Sequence, residues 1–206
     1  MQIIGMLDSP YVRRAAITAQ MLGIEYVHRS LSVFRNYEEI RAINPLVKVP
    51  TLVCDDGEVL VDSTLIIDYF ESIAQKGQSL MPADPAARRR VLQLTGIALM
   101  TMEKAVQHLY ETKQRPKERQ HRPWIDRIDQ QLAAALQLLA SAVGNGDRWL
   151  TGAQPTQADI SIAVAIRFVR EIRPEAMPDK EFAGLHRFNE RAEALPAFLA
   201  CPFDQQ

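Results

Sequence analysis

The sequence predicts a chain of two parts: an α/β unit with element order βαβαββα and a mixed sheet, then an all-α bundle. Three observations carry this. Short strand-like runs alternate with helical periods up to residue 77. Gly77, Pro82 and Pro85 punctuate residues 75–85 as a linker. Every later segment repeats near a 3.6-residue period. The expected domains are therefore residues 1–77, a linker at 78–85, and a helical domain at 86–206.

Residues 2–6 form a short apolar run that reads as the first strand. Val12, Ala15, Ala16, Ala19 and Leu22 then recur at helical spacing, and Gly23 supplies the stop. Residues 24–31 read as a second strand, and residues 36–43 as a short helix ahead of Asn44-Pro45. A strand–helix–strand start favours a parallel pair joined by a right-handed crossover. Residues 50–54 and 59–61 flank Asp55-Asp56-Gly57, a hairpin signal that adds antiparallel strands. Residues 63–74 follow as a helix with Leu65, Ile66, Tyr69, Phe70 and Ile73 on one face.

Past the linker, residues 86–112 and 121–143 read as two long helices, the second ended by Gly144-Asn145-Gly146. Residues 157–172 are apolar nearly all round, the mark of a helix in the centre of a bundle. Thr156 and Asp159 make a capping box at its start, with Asp in place of the usual Glu. A last helix near 180–194 stops before Pro196.

The net charge of −1 offers no bulk attraction to nucleic acid or to an anionic membrane. No apolar run nears the roughly 18 residues of a membrane span, and no signal peptide is expected in the first thirty residues, where Asp8, Arg13 and Arg14 break any apolar run. Cys54 and Cys201 lie far apart with no CxxC spacing, so reduced thiols in a cytoplasmic protein are expected. His28, His108, His121 and His186 are scattered without paired-ligand spacing, and no metal is expected.

Val49-Pro50 stands out because the proline interrupts a strand-like run. It reads either as an ordinary trans proline at a strand start or as a cis bond that leaves the Val49 N–H and C=O for an extended ligand. Ser9-Pro10 reads as an N-cap with proline at the first helical position. The same hydroxyl retains a proton that can point at a thiolate held above the helix start, where the helix dipole favours negative charge. Asp62-Ser63 lies where the last strand gives way to a helix, and one of the pair is expected to cap it. Their fuller chemistry suits an amino-acid head group, with Ser63 and helix amides on a carboxylate and Asp62 on an ammonium.

Taken in order, Ser9-Pro10-Tyr11-Val12-Arg13-Arg14, Asn44-Pro45 with Lys48-Val49-Pro50-Thr51-Leu52, Asp62-Ser63 and Thr156-Gln157-Ala158-Asp159 resemble the glutathione transferase superfamily over nearly the whole chain. The resemblance implies a thioredoxin-like domain followed by a helical domain, with glutathione as co-substrate, no metal, and a homodimer. It implies that Pro50 is cis, that the Val49 backbone pairs with the cysteinyl unit, and that Asp62 and Ser63 hold the γ-glutamyl end. It also puts Lys48 near the glycine carboxylate and makes Ser9 the residue that activates the thiol. The pocket for a hydrophobic electrophile would lie between Ser9 and the first long helix, with Leu7, Tyr11, Met102 and Val106 as linings.

Departures from the pattern narrow the class. No tyrosine occurs in residues 4–7 and no cysteine stands at position 9, so the serine-type transferases of bacteria and plants fit best. Val47 stands where many members place glycine, and Asp62 replaces the commoner Glu or Gln. The serine-rich start of the maleylacetoacetate isomerase branch is absent. The expected activity is addition of glutathione thiolate to a small hydrophobic electrophile. A glutathione-dependent disulfide or peroxide reductase is an alternative. So is a non-catalytic interaction protein of the stringent-starvation-protein type, which has no need of the combined Ser9, Val49-Pro50 and Asp62-Ser63 set. The basic stretch from Lys113 to Arg122 reads as a solvated helix–helix connection.

Overall fold

The structure, a computed structural model, describes residues 1–203; the last three residues of the expected second domain lie outside the described residues. The described residues divide into two compact units, Met1–Met81 together with 194–203, and Pro82–Glu193.

The first unit holds β1 (Gln2–Ile4), α1 (Pro10–Met21), β2 (Val27–Arg29), α2 (Tyr37–Ile43), β3 (Thr51–Val53), β4 (Val59–Val61) and α3 (Ser63–Ile73). The sheet order is β2-β1-β3-β4. β1 runs parallel to β2, with Ile3 opposite His28, and antiparallel to β3, with Ile3 opposite Leu52. β3 and β4 close as the expected antiparallel hairpin. The Asp55-Asp56-Gly57 turn is fixed by Cys54 N–H donating to Glu58 O at 2.8 Å and by Glu58 N–H donating to Asp56 Oδ1 at 3.0 Å. The first two strands come out shorter than the runs predicted for them. β1 ends at Ile4 because Gly5 turns to φ +132°, and β2 is an edge strand whose only ladder is the three residues facing β1. α1 and α3 pack on each other, burying Val12, Ala16 and Ala19 from one and Ile66 and Phe70 from the other.

The segment after Ala194 joins this unit, where a purely helical period had grouped it with the bundle. A short α8 (Pro196–Leu199) lies against α1, Arg13 Nε donates to Cys201 O at 2.8 Å, and the Arg13 guanidinium sits 5.6 Å from the Phe198 ring centre. Within the linker, Glu71 accepts from Ser79 Oγ at 2.6 Å and Leu80 N–H at 2.9 Å, which ties the stretch back to α3.

The second unit is helical: α4 (Pro85–Leu109), α5 (Arg122–Val143), α6 (Gln157–Ile172) and α7 (Ala183–Glu193). Asp84 caps α4 by accepting from Ala87 N–H at 2.8 Å, with Pro85 at the first turn. α6 packs on α4 and α7, and buries every residue from Gln157 to Ile166, as its unbroken apolar pattern demands. Its capping box forms: Asp159 Oδ2 accepts from Thr156 N–H at 2.8 Å and Thr156 Oγ at 2.7 Å, while Oδ1 accepts from Leu150 N–H at 2.9 Å.

The helix expected to run to residue 112 instead ends at Leu109 and gives way to a π turn, Tyr110–Gln114. The wider turn carries Glu111 inward, where its carboxylate accepts from Arg115 Nε at 2.8 Å and from His121 N–H at 3.1 Å. These bonds hold the Glu111 carboxyl below its usual range, the His121 amide being the largest cause.

Candidate active site

The site builds outward from Gly5. At φ +132° its backbone suits glycine alone, and an added Cβ would sit 2.5 Å from Val12 Cγ2 and 2.8 Å from Val49 Cβ. The end of β1, the first turn of α1 and the Val49-Pro50 loop therefore converge at one point.

Ser9 opens α1 with φ −70° and ψ 120°, followed by Pro10 at the first helical position. Its Oγ accepts from Val12 N–H at 3.5 Å, the outer limit of a hydrogen bond. The capping role is thus real but weak, and the hydroxyl proton remains for another acceptor. Ser9 itself is half-buried.

The Val49-Pro50 bond is cis. The loop leading to it is clasped by two buried side chains. Asn44 Nδ2 donates to Thr51 Oγ1 at 2.9 Å and to Lys48 O at 3.3 Å, and Thr51 Oγ1 donates to Lys48 O at 2.7 Å. Leu46 N–H donates to Asn44 Oδ1 at 3.0 Å. Val47, inside the clasp, is held at φ +50°, a left-handed conformation that a β-branched residue rarely adopts. Among the described residues no protein group takes the Val49 N–H or C=O. Pro50 is buried, Val49 half-buried and Lys48 exposed.

At the third helix start, Asp62 is the cap, with φ +74° and Oδ1 accepting from Thr64 N–H at 2.7 Å and Leu65 N–H at 3.4 Å. The capping expectation for the pair thus falls on Asp62. Its neighbour Ser63 is only 3% exposed, and Ser63 Oγ accepts from Arg14 Nη1 at 2.9 Å. The same Nη1 donates to Thr64 Oγ1 at 3.1 Å.

Arg14 is the residue that sequence reasoning missed. In the sequence it is only the last residue of the Ser9-to-Arg14 motif, yet it is 1% exposed and links the starts of α1 and α3. Burial lowers its pKa to about 10, opposed by the nearby Asp62 carboxylate. The available signal was its setting: Arg13 and Arg14 sit within Val12–Ala19, a stretch buried on all sides. A cation there needs a partner from another element.

Of the remaining candidates, Leu7 is buried and Tyr11 half-buried in the first unit. In the helical unit Met102 is wholly enclosed and Val106 half-buried. Both cysteines are unpaired thiols, and burial pushes each one's pKa up, which keeps them protonated. Among the described residues no group of three or more His, Cys, Asp or Glu side chains is placed to hold a metal ion. No described helix is long and apolar enough to cross a membrane.

Comparison with known proteins bears on the family and the fold. The family model for the glutathione S-transferase N-terminal domain matches residues 3–78, and that for the C-terminal domain matches residues 122–191. A maleylacetoacetate isomerase of Pseudomonas aeruginosa is 31% identical over 197 residues, covering 90% of this chain and 87% of its own. An uncharacterized GST-like protein of Escherichia coli, YibF, is 27% identical over 84% of this chain and 85% of its own. Among solved structures, a glutathione transferase family member from Pseudomonas fluorescens with bound glutathione superposes with a TM-score of 0.83 at 27% identity, covering 97% of each chain. A glutathione S-transferase from Methylobacterium radiotolerans shares the fold with a TM-score of 0.90 at 24% identity, over 100% of this chain and 96% of that one. With both domain models matched in order, on a thioredoxin-like domain followed by a helical one, the chain belongs to the glutathione S-transferase family.

Proposed function

We propose that this protein is a serine-type glutathione transferase, in which Ser9 holds the glutathione thiol as thiolate and the sulfur attacks a small hydrophobic electrophile. The observation that carries the reading is the convergence at Gly5. Gly5 lies against Val12, whose N–H the Ser9 hydroxyl caps with its own proton uncommitted, and against Val49, whose main chain is unpaired. The Val49 N–H and C=O suit the cysteinyl unit of glutathione, as a strand would pair. Ser63, backed by the buried Arg14 cation, keeps its own proton for the γ-glutamyl carboxylate. Asp62 spends Oδ1 on its cap and has Oδ2 for the ammonium, and exposed Lys48 suits the glycine carboxylate. The glutathione bound in the P. fluorescens relative supports the same co-substrate here.

Thiolate stabilisation lowers the cost of ionising a thiol whose free pKa is about 8.5. Binding both reactants side by side supplies several kcal/mol more. Replacing Ser9 by Ala should lower turnover with an aryl halide roughly 10- to 100-fold, the worth of one hydrogen bond to a charged group. Glutathione affinity should hold. Unchanged turnover would remove Ser9 from this role.

The Pseudomonas aeruginosa relative favours a second reading, glutathione-dependent isomerisation of a cis-unsaturated diacid such as maleylacetoacetate. There the thiolate adds to the double bond, the adduct rotates about the resulting single bond, and elimination returns glutathione. A panel of an aryl halide, an organic peroxide, a mixed disulfide and maleylacetoacetate, each followed for glutathione consumption, separates conjugation, reduction and isomerisation. Only isomerisation leaves the glutathione concentration unchanged.

We further propose a homodimer. Leu65 and Ile73 on α3, and Leu92 and Met100 on α4, are large apolar side chains left exposed. Sedimentation equilibrium should give twice the 23.3 kDa chain mass, and a monomer at micromolar concentration would refute it.

A further inference from the structure

The first turn of α3, which would receive the γ-glutamyl end, has most of its own donors committed. Asp62 Oδ1 accepts from the Thr64 and Leu65 amides. The same carboxylate puts a negative charge beside Ser63. A helix start already capped by an acid attracts a further anion weakly. A carboxylate held there needs another positive group.

Arg14 is placed to be that group. It is 1% exposed, and among the described residues no carboxylate bonds to it. Both hydrogens of its Nη1 go to hydroxyls of α3, to Ser63 Oγ at 2.9 Å and to Thr64 Oγ1 at 3.1 Å. Its Nε is buried and has no partner. A cation taken so far out of water is costly until an anion answers it, and two neutral hydroxyls do not. Each hydroxyl carries one proton and two acceptor lone pairs. With a lone pair of each turned to Nη1, both protons are left facing away from Arg14. Neither Ser63 nor Thr64 donates its hydroxyl proton to a protein group among the described residues. Ser63 is buried and Thr64 exposed, so the pair runs from the interior to the surface. Two adjacent O–H donors backed by one cation match the two oxygens of a carboxylate.

We propose that Arg14 makes this site select its ligand by the α-carboxylate, fixing Ser63 and Thr64 as paired hydroxyl donors and supplying the charge that the carboxylate answers through them. Arg14 is a positioning residue, since its bonds run to the hydroxyls. Thr64 becomes a second contact for the γ-glutamyl end. The inference rests on the glutathione reading and specifies which part of glutathione the first turn of α3 discriminates. With Asp62 on the ammonium, the site takes an α-amino acid head group in preference to an amine alone.

The test compares glutathione with 4-aminobutanoyl-cysteinyl-glycine, the same peptide without its α-carboxylate, by titration calorimetry on the full-length protein. The unmodified chain should bind glutathione at least about tenfold more tightly, the worth of hydrogen bonds to a charged group. Arg14→Met removes the charge and both bonds while keeping an unbranched side chain. It should cut that preference to roughly twofold by weakening glutathione alone, with the analogue bound as before. Arg14→Lys, which keeps the charge, should retain most of the preference. Thr64→Val, at an exposed position, should weaken glutathione about threefold or more and spare the analogue. A purely structural role for Arg14 would weaken both peptides alike. A preference that survives Arg14→Met, or a loss shared equally by the two peptides, would overturn the inference and leave the glutathione reading standing. Should the methionine variant fail to fold, a Thr64→Val variant that binds both peptides as the unmodified chain does would overturn it. Saturable binding of neither peptide by the unmodified chain would overturn both.

Discussion

Val47 and Asp62 are the two non-glycine residues with positive φ among those described, and both border the candidate site. Strained backbone persists where the surroundings over-determine it, and it clusters at binding sites. For Asp62 the strain is offset by its two capping bonds. Val47 has no such return: the Asn44–Thr51 clasp holds it, and its side chain gains nothing from φ +50°. Left-handed geometry costs a residue with a Cβ roughly 1–2 kcal/mol, of which glycine's extra chain entropy takes back about 0.5–1. Val47→Gly should therefore raise stability by up to about 1 kcal/mol. In a chain of this size that is a melting shift of roughly 2–4 °C upward, measurable by calorimetry. A downward shift would mean that the valine side chain packs for a reason beyond the clasp. The sequence marked this position, since family members place glycine there, but the φ value behind the preference came from the folded loop.

At the scale of elements, the boundaries that sequence located best are those with local chemistry. Ser9-Pro10, Asp62 and Thr156-Asp159 start their helices where caps predict, because capping bonds span only three residues. The end of α4 was misjudged, since the π turn depends on Glu111 finding Arg115 and His121, and His121 lies ten residues on. The α6 start makes a quantitative case. Asp159 is 1% exposed and accepts from three donors, two on Thr156 and one from Leu150 N–H. Asp159→Ala strands all three and should cost about 3 kcal/mol, read as a lower urea midpoint. Thr156→Ala removes a single donor and should cost about 1 kcal/mol. Equal losses in the two variants would show that the bonds from the Leu150 and Thr156 N–H groups contribute nothing.

At the scale of the molecule, charge pairs join segments that are distant in sequence. In the helical unit Asp129 of α5 accepts from His108 Nδ1 at 2.8 Å and from Arg173 Nη2 at 2.9 Å, with Arg173 Nη1 also bonded to Oδ1. Burial, the largest single influence, would raise the Asp129 carboxyl, but the bonds from Arg173 and His108 together outweigh it and hold the pKa below its usual value. A carboxyl lowered in the folded state stabilises above its unfolded pKa, and the stabilisation is lost as pH falls through the folded value. Stability should therefore drop as pH falls below about 4, the ordinary carboxylate range, and Asp129→Asn should flatten that drop. Denaturant midpoints across this range check it, and an unchanged slope in the variant would exclude the cluster as the cause. By itself the sequence determined the two-part architecture, the helix starts and the mixed sheet, and it singled out Ser9, Val49-Pro50 and Asp62-Ser63 as candidates. All of these follow from local periodicity, caps and turns, or from motifs in a fixed order. Only the tertiary structure decided that Arg14 stands behind Ser63, that the chain after Ala194 returns to the first unit, and that Asp129 meets His108 and Arg173. A buried charge finds its partner across the core, and no spacing along the chain encodes which segment will supply it.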